Sequence, residues 1–135
     1  MTILVTDTGF AADDVPLAFV PLGDAANDTP ALHLASDTNL TDLPDRLAGV
    51  RAIRINFPSF ADGRGFTLAR QLRLMGFDGT LRAQGHVLAD QYAMARRAGF
   101  DEVEISDDLA ARQPEEDWLG RANWQAHDYQ ARLRG

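Results

Sequence analysis

The 135-residue chain contains no cysteine. Disulfides, thiolate nucleophiles and cysteine-ligated zinc or iron–sulfur clusters are therefore excluded. Any electrons it handles must reside on a partner's cofactor or a bound organic one, and the expectation is a chain without a cofactor of its own. It also contains no lysine, since all 13 basic side chains are arginine. A lysine Schiff base and a Walker-type phosphate loop, whose lysine reaches the phosphates, are ruled out. No apolar run approaches the roughly eighteen residues of a membrane span. The start, MTILVTDTGF, lacks the basic residues and long apolar stretch of a signal peptide, so a cytoplasmic protein is expected.

What is present reads as globular. An apolar fraction of 45% and a charged fraction of 24% are near the averages for folded proteins, and the length fits one domain over residues 1–135. The net charge of −7 disfavours nucleic acid and anionic membranes as partners. That charge is uneven. Residues 1–49 carry one arginine against eight acids, residues 50–97 eight arginines against Asp62, Asp78 and Asp90, and residues 98–135 four arginines against nine acids. A basic middle between acidic flanks means an anion site or internal ion pairing, pairing being the simpler explanation.

The runs ILV at 3–5 and LAFV at 17–20, separated by DTGFAADD, predict a short N-terminal β-hairpin. PLGDAANDTP, 21–30, reads as a polar loop. From Ala31, strand-like and helix-like segments alternate. Strands are predicted over 31–35, 50–57, 80–84 and 100–105, and helices over 41–49, 65–76 and 87–99, closing on Gly49, Gly76 and Gly99. Pro114 and the three acids after it start a C-terminal helix over 114–125. Short loops between strand and helix imply right-handed crossovers and an α/β fold with a parallel sheet of about four βα units.

Period-two alternation divides each strand into an apolar and a polar side. Leu32 and Leu34 oppose His33; Ile53, Ile55 and Phe57 oppose Arg54 and Asn56; Leu81 and Ala83 oppose Arg82 and Gln84; Val103 and Ile105 oppose Glu102 and Glu104. If the strands are neighbours, the polar members share one sheet face. Parallel strands are usually apolar on both faces, because crossover helices cover both. A polar face therefore predicts helices mainly on the other face, sequential strand order and a sheet resembling half of a β/α barrel. That face is either a solvated surface on which Arg54 and Arg82 pair with Glu102 and Glu104, or a binding site. Ligand sites in such folds gather at the carboxyl ends of the strands, where Asn56, Gln84, Gly85 and the loop SFADGRG fall.

In that loop, Gly63 and Gly65 permit backbone angles closed to other residues, Asp62 can bond amides of the next turn, and Arg64 offers a fork of donors to an anion. The loop lacks the G-x-G-x-x-G spacing of a dinucleotide fingerprint. On the following helix, Leu68, Leu72 and Met75 form the apolar side and leave Phe66, Arg70 and Arg73 opposite, where solvated arginines are the ordinary explanation. Asp90 and Gln91 lie in the first turn of the next helix, and Asp90 reads as a helix-start residue ahead of a general acid or base. His33, His86 and His127 lack metal-site spacing, so no metal is expected; no G-x-S-x-G elbow occurs, and Ser59 and Ser106 have no evident histidine partner. Trp118, Trp124 and Tyr129 are expected to pack onto the domain, with a partner-docking patch as the alternative.

The stretch FPSFADGRGFTLARQLR at 57–73, followed by GFDGTLRAQGHVLADQ and RRAGFDEVE, resembles the signature of the proteobacterial domain-of-unknown-function family 934 across residues 53–104. The signature positions are Asp62, Gly63, Arg64, Arg70, Leu72, Arg73, Leu81, Arg82, Ala83, Gly85, Asp90 and Gln91, and the pair Tyr129–Gln130 is similar to the family's. Genes of this family commonly accompany those of assimilatory sulfite reductase, and members are often labelled oxidoreductases of sulfite reduction. The resemblance thus implies a place in sulfate assimilation and cysteine biosynthesis, with no catalytic residues to carry over. Two functions follow. One is an accessory protein that docks sulfite reductase or its electron donor and assists electron delivery or assembly. The other is a small anion-binding enzyme or sensor that holds sulfite, sulfate or a sulfonucleotide through Arg64, Arg82 and nearby groups.

Overall fold

A computed structural model describes residues 2–12, 18–26, 28–41, 43, 47–122 and 124. Among the described residues, seven strands form one sheet: β1 (Thr2–Thr6), β2 (Gly9–Ala12), β3 (Val20–Pro21), β4 (Ala31–Leu34), β5 (Ala52–Phe57), β6 (Thr80–Gly85) and β7 (Glu102–Ser106). The α-helices among these residues are α1 (Arg64–Leu74), α2 (Tyr92–Ala98), α3 (Asp107–Arg112) and α4 (Glu115–Leu119). The strand order is β2-β1-β7-β6-β5-β4-β3. Strands β3 to β7 run parallel, whereas β1 is antiparallel to β7 and β2 to β1. The architecture is mixed α/β with a mostly parallel sheet, and β4 to β7 lie side by side in chain order, as the alternating pattern predicts.

The N-terminal hairpin forms with a different second arm. Thr6 pairs with Gly9, so two residues make the turn and Gly9–Ala12 returns along β1. A two-residue connection costs less closure entropy than a loop spanning DTGFAADD, and Gly9 takes the positive φ of 114° next to the turn. Of the LAFV run, Val20 instead pairs with Leu32 at the opposite edge of the sheet, and Leu17 lies outside the described residues. Of the helix predicted over 41–49, residues 42 and 44–46 lie outside the described residues, and the described remainder, 41, 43 and 47–49, is turn or irregular backbone and not helix.

The apolar side of the strands builds the core. Leu32, Leu34, Ile53, Ile55, Phe57, Leu81, Ala83, Val103 and Ile105 are buried with Phe66, Leu68, Ala69 and Leu72 of α1 and Tyr92, Ala95 and Ala98 of α2. The core side of α1 corrects the expected one. Phe66 is buried, its ring 5.0 Å from Phe57 and 6.4 Å from Phe100, while Met75 is 40% exposed. Aromatic stacking across the sheet–helix gap rotates the helix toward Phe66 and leaves its C-terminal end outward. The segment predicted as a helix over 87–99 begins with a 3-10 turn at Ala89–Gln91 and closes on Gly99, at φ 119°, as expected. The C-terminal helix is α4, which Gly120 caps after Leu119, and α3 precedes it without having been predicted. Trp118 is buried, as expected, edge-on to Tyr92 at 6.2 Å. Tyr129, Gln130 and His127 lie outside the described residues.

Candidate functional site

The strand register puts His33, Arg54, Arg82 and Glu102 in one row across the sheet. Asn56, Gln84 and Glu104 form the next polar row toward the carboxyl ends. The expected polar face therefore exists, and its charges are spent on one another. Arg82 donates from Nε to Glu102 Oε1 at 2.9 Å and from Nη1 to Glu104 Oε1 at 2.8 Å. Arg54 donates from Nη1 to Glu104 Oε1 at 3.3 Å and from Nε to His33 Nδ1 at 3.0 Å. Arg82 and Glu104 are only 4% and 5% exposed. The ring of Phe19, just before β3, lies 4.7 Å from the Arg54 guanidinium and 5.0 Å from that of Arg82, a cation–π lid that burial strengthens. Because His33 Nδ1 accepts a hydrogen bond, its ring is neutral. Burial, then the Arg54 charge, pushes the His33 pKa down against the opposing pull of Glu104.

The DGRG turn is likewise self-contained. Arg64 donates from Nε and its backbone N–H to Asp62 Oδ1 and from Nη2 to Asp62 Oδ2, the last at 2.7 Å. Ser36 Oγ donates to Asp62 Oδ2 at 3.0 Å and accepts from Arg64 Nη2, which ties the loop after β4 to the loop after β5. These bonds from Arg64 hold the Asp62 carboxyl well below the usual carboxylate range, and Asp62 raises Arg64 in return. Gly63 has an ordinary backbone, φ −90°. Neither it nor Gly65 sits at positive φ. Gly65 is needed for a different reason: a Cβ there would stand 2.5 Å from the Phe57 ring, so glycine lets α1 seat on β5.

The helix arginines divide. Arg70 is exposed. Arg73, expected to be solvated, uses all five N–H bonds: to the carbonyls of Phe77, Gly79 and Gly99, the last twice, and to Asp101 Oδ2. It binds the C-terminal ends of α1 and α2 to the start of β6, at the amino ends of the parallel strands and away from the expected ligand site. Asp90 accepts from Arg121 at 2.9 Å with both side chains at the surface, in keeping with a helix-start residue. Gln91 accepts from the Leu88 N–H and donates to the Phe60 carbonyl, which braces the loop after β5.

A cleft of about 440 Å³ opens at the carboxyl ends of β6 and β7. It brings the expected Gln84 and Gly85 together with His86, Glu104, Ser106, Asp108, Arg112 and the ring of Phe60. Gly85 has φ 112°, and a Cβ there would meet the Phe57 carbonyl at 2.7 Å, so the strand end is shaped by glycine. His86 Nδ1 lies 3.2 Å from that same carbonyl. A carbonyl can only accept, so Nδ1 carries a proton, and in the neutral ring Nε2 is the acceptor. Ser106 Oγ accepts from the Leu109 N–H and caps α3. The sequence reading missed His86, Asp108 and Arg112 as site residues. The signal was there in Ser106-Asp-Asp, an N-cap with acids in the first turn, which starts a helix right at a strand's carboxyl end.

A second cluster has no local signal at all. Asp7, in the β1–β2 turn, accepts from Tyr92 Oη and from Arg96 Nη2 at 3.2 Å, and Trp124 Nε1 reaches it at 3.4 Å. Burial would raise the Asp7 pKa, but the Tyr92 hydrogen bond and the Arg96 charge outweigh it and the net shift is down. Burial and then Asp7 push the Tyr92 phenol up.

Among the described residues there is no group of three histidine, aspartate or glutamate side chains placed to hold a metal ion, and no helix long and apolar enough to cross a membrane. Asn56, Gln84 and Gly85 meet at the strand ends, Asp62–Arg64 form their own turn, and Arg73 stands at the other end. No curated protein and no solved structure matches the chain. The family described as bacterial protein of unknown function, DUF934, matches residues 31–135, a wider span than the motif-bearing stretch 53–104. With the DGR turn, the strand-end Gly85 and the Arg73 clamp each holding a definite place in the fold, the chain belongs to the DUF934 family.

Proposed function

We propose that this chain is an accessory protein of assimilatory sulfite reduction, docking sulfite reductase or its electron donor and assisting electron delivery or assembly. The observation that carries the reading is the internal pairing of four of the eight arginines in the basic middle. Arg54, Arg64, Arg73 and Arg82 all donate to this chain's own acceptors, so they serve folding and leave no uncommitted fork for an inorganic anion. That weighs against the competing reading, a small anion-binding enzyme or sensor working through Arg64 and Arg82.

Sequential order of β4 to β7 supports a half-barrel arrangement with helices mainly on one face. The absence of cysteine supports a role beside a redox enzyme over a redox role of its own. Leu74, 82% exposed at the end of α1, is an apolar side chain such a partner would cover. The pathway itself comes from the family resemblance.

The test is co-elution of the purified chain with sulfite reductase and its donor, together with turnover. A complex that raises turnover, and that Leu74→Asp weakens without lowering the Tm of the isolated chain, is the expected result. Separate elution with unchanged turnover overturns the reading.

A further inference from the structure

The carboxyl-end cleft holds charges of both signs that the fold does not use. Asp108 and Arg112 both line it from α3. Four residues apart on a helix is the spacing at which opposite charges pair. Yet among the described residues neither side chain makes an ion pair or a hydrogen bond. The Gln84 side-chain amide, also lining the cleft, is equally unbonded among the described residues. The Ser106 hydroxyl accepts from Leu109 and still has its own proton to donate.

The cleft therefore offers donors from Arg112, Gln84 and Ser106, and acceptors from Asp108 and from Nε2 of His86. A simple anion such as sulfite would face two carboxylates there, Glu104 and Asp108. A simple cation would face Arg112. A molecule with one charge of each sign matches both, and four residues of helix, a rise of about 6 Å, separate the two charged positions along α3.

We propose that this cleft binds a small zwitterion of the α-amino acid class. Its carboxylate meets Arg112, Ser106 and Gln84, and its ammonium meets Asp108 and His86 Nε2. Phe60 and Leu109 supply the apolar wall for a side chain, and about 440 Å³ accommodates one. The inference is separate from the docking reading and uses none of the residues that reading depends on.

The experiment is thermal shift and calorimetry on the full chain. The probes are glycine, L-alanine, L-serine and L-phenylalanine, set against acetate, sulfite and ethylamine, which carry charge of one sign. At least one amino acid is expected to raise the Tm by roughly 4 °C at ten times its dissociation constant, with no comparable rise from the single-charge compounds. Arg112→Gln and Asp108→Asn, both at exposed positions, should each weaken that binding about tenfold at an unchanged circular dichroism spectrum. The proposal is overturned if sulfite alone matches the best amino acid, if no amino acid responds, or if either variant binds as tightly as the parent chain.

Discussion

Arg82 Nη1 donates to Glu104 Oε1 across 2.8 Å, the shortest link in a network that runs from His33 through Arg54 and Glu104 to Arg82 and Glu102. Both side chains are more than nine-tenths buried. Such a pair adds little net stability over an apolar replacement, because desolvation offsets attraction, but breaking it leaves a buried charge.

Arg82→Leu should therefore cost roughly 3 kcal/mol in urea denaturation, at the low end for a buried pair because Arg54 still reaches Glu104. Combining it with Glu104→Leu should recover much of that loss. A double variant no more stable than the single one would mean that the pair is not coupled.

Arg73→Lys replaces five directed N–H donors with three on a flexible stem and leaves carbonyls among Phe77, Gly79 and Gly99 unpaired. The expected loss is about 2 kcal/mol, or about 6 °C in Tm. Arg70→Lys, at an exposed position on the same helix, should leave the Tm within about a degree.

Gly65→Ala places a methyl 2.5 Å from the Phe57 ring. Alanine's better helix propensity is outweighed by overpacking, and a net loss of about 2 kcal/mol is expected. In a double-mutant cycle with Phe57→Leu, the pair should be less destabilised than the sum of the two single changes. Strict additivity would show that the ring is not what the methyl meets.

Acid should destabilise the chain in two steps. His33 has a folded pKa below its ordinary 6.5, so the unfolded chain binds that proton first. The stability His33 contributes is complete above 6.5 and is lost as pH falls through the folded value. Asp62, held far below its ordinary 3.8 by Arg64, contributes stability that is present above 3.8 and lost at lower pH. Equilibrium denaturation across pH should show His33→Gln flattening the slope just below 6.5, and Asp62→Asn flattening the limb below about 4. An unchanged upper limb in His33→Gln would remove the histidine from the account.

Much of the parallel sheet was legible in the sequence, and for a local reason. Alternation in RAIRINF, TLRAQ and DEVEI assigns each side chain to a face whatever the strand's neighbours are, and Gly76 and Gly99 mark helix ends by their backbone freedom alone. The hairpin was half legible: ILV formed β1, but the choice between Gly9–Ala12 and LAFV depends on which arm meets β1, and local pattern cannot compare the two. Phe66 was assigned to the wrong side of α1 because the ring that holds it, Phe57, comes from another element.

The candidate site divides in the same way. That Asn56, Gln84 and Gly85 lie at strand carboxyl ends follows from chain direction and strand length. That Arg64 is taken by Asp62 and Ser36, Arg73 by three carbonyls, and Arg82 by two glutamates is decided by partners two to 28 residues away, brought within about 3 Å by the fold. His86, Asp108 and Arg112 entered the site in the same manner, when β6 and β7 paired side by side. Local residue pattern is enough to say which faces are polar and where the chain turns. Which charges are spent on the fold and which are left facing the cleft depends on packing, because pairing is a matter of distance and packing sets the distance between remote residues.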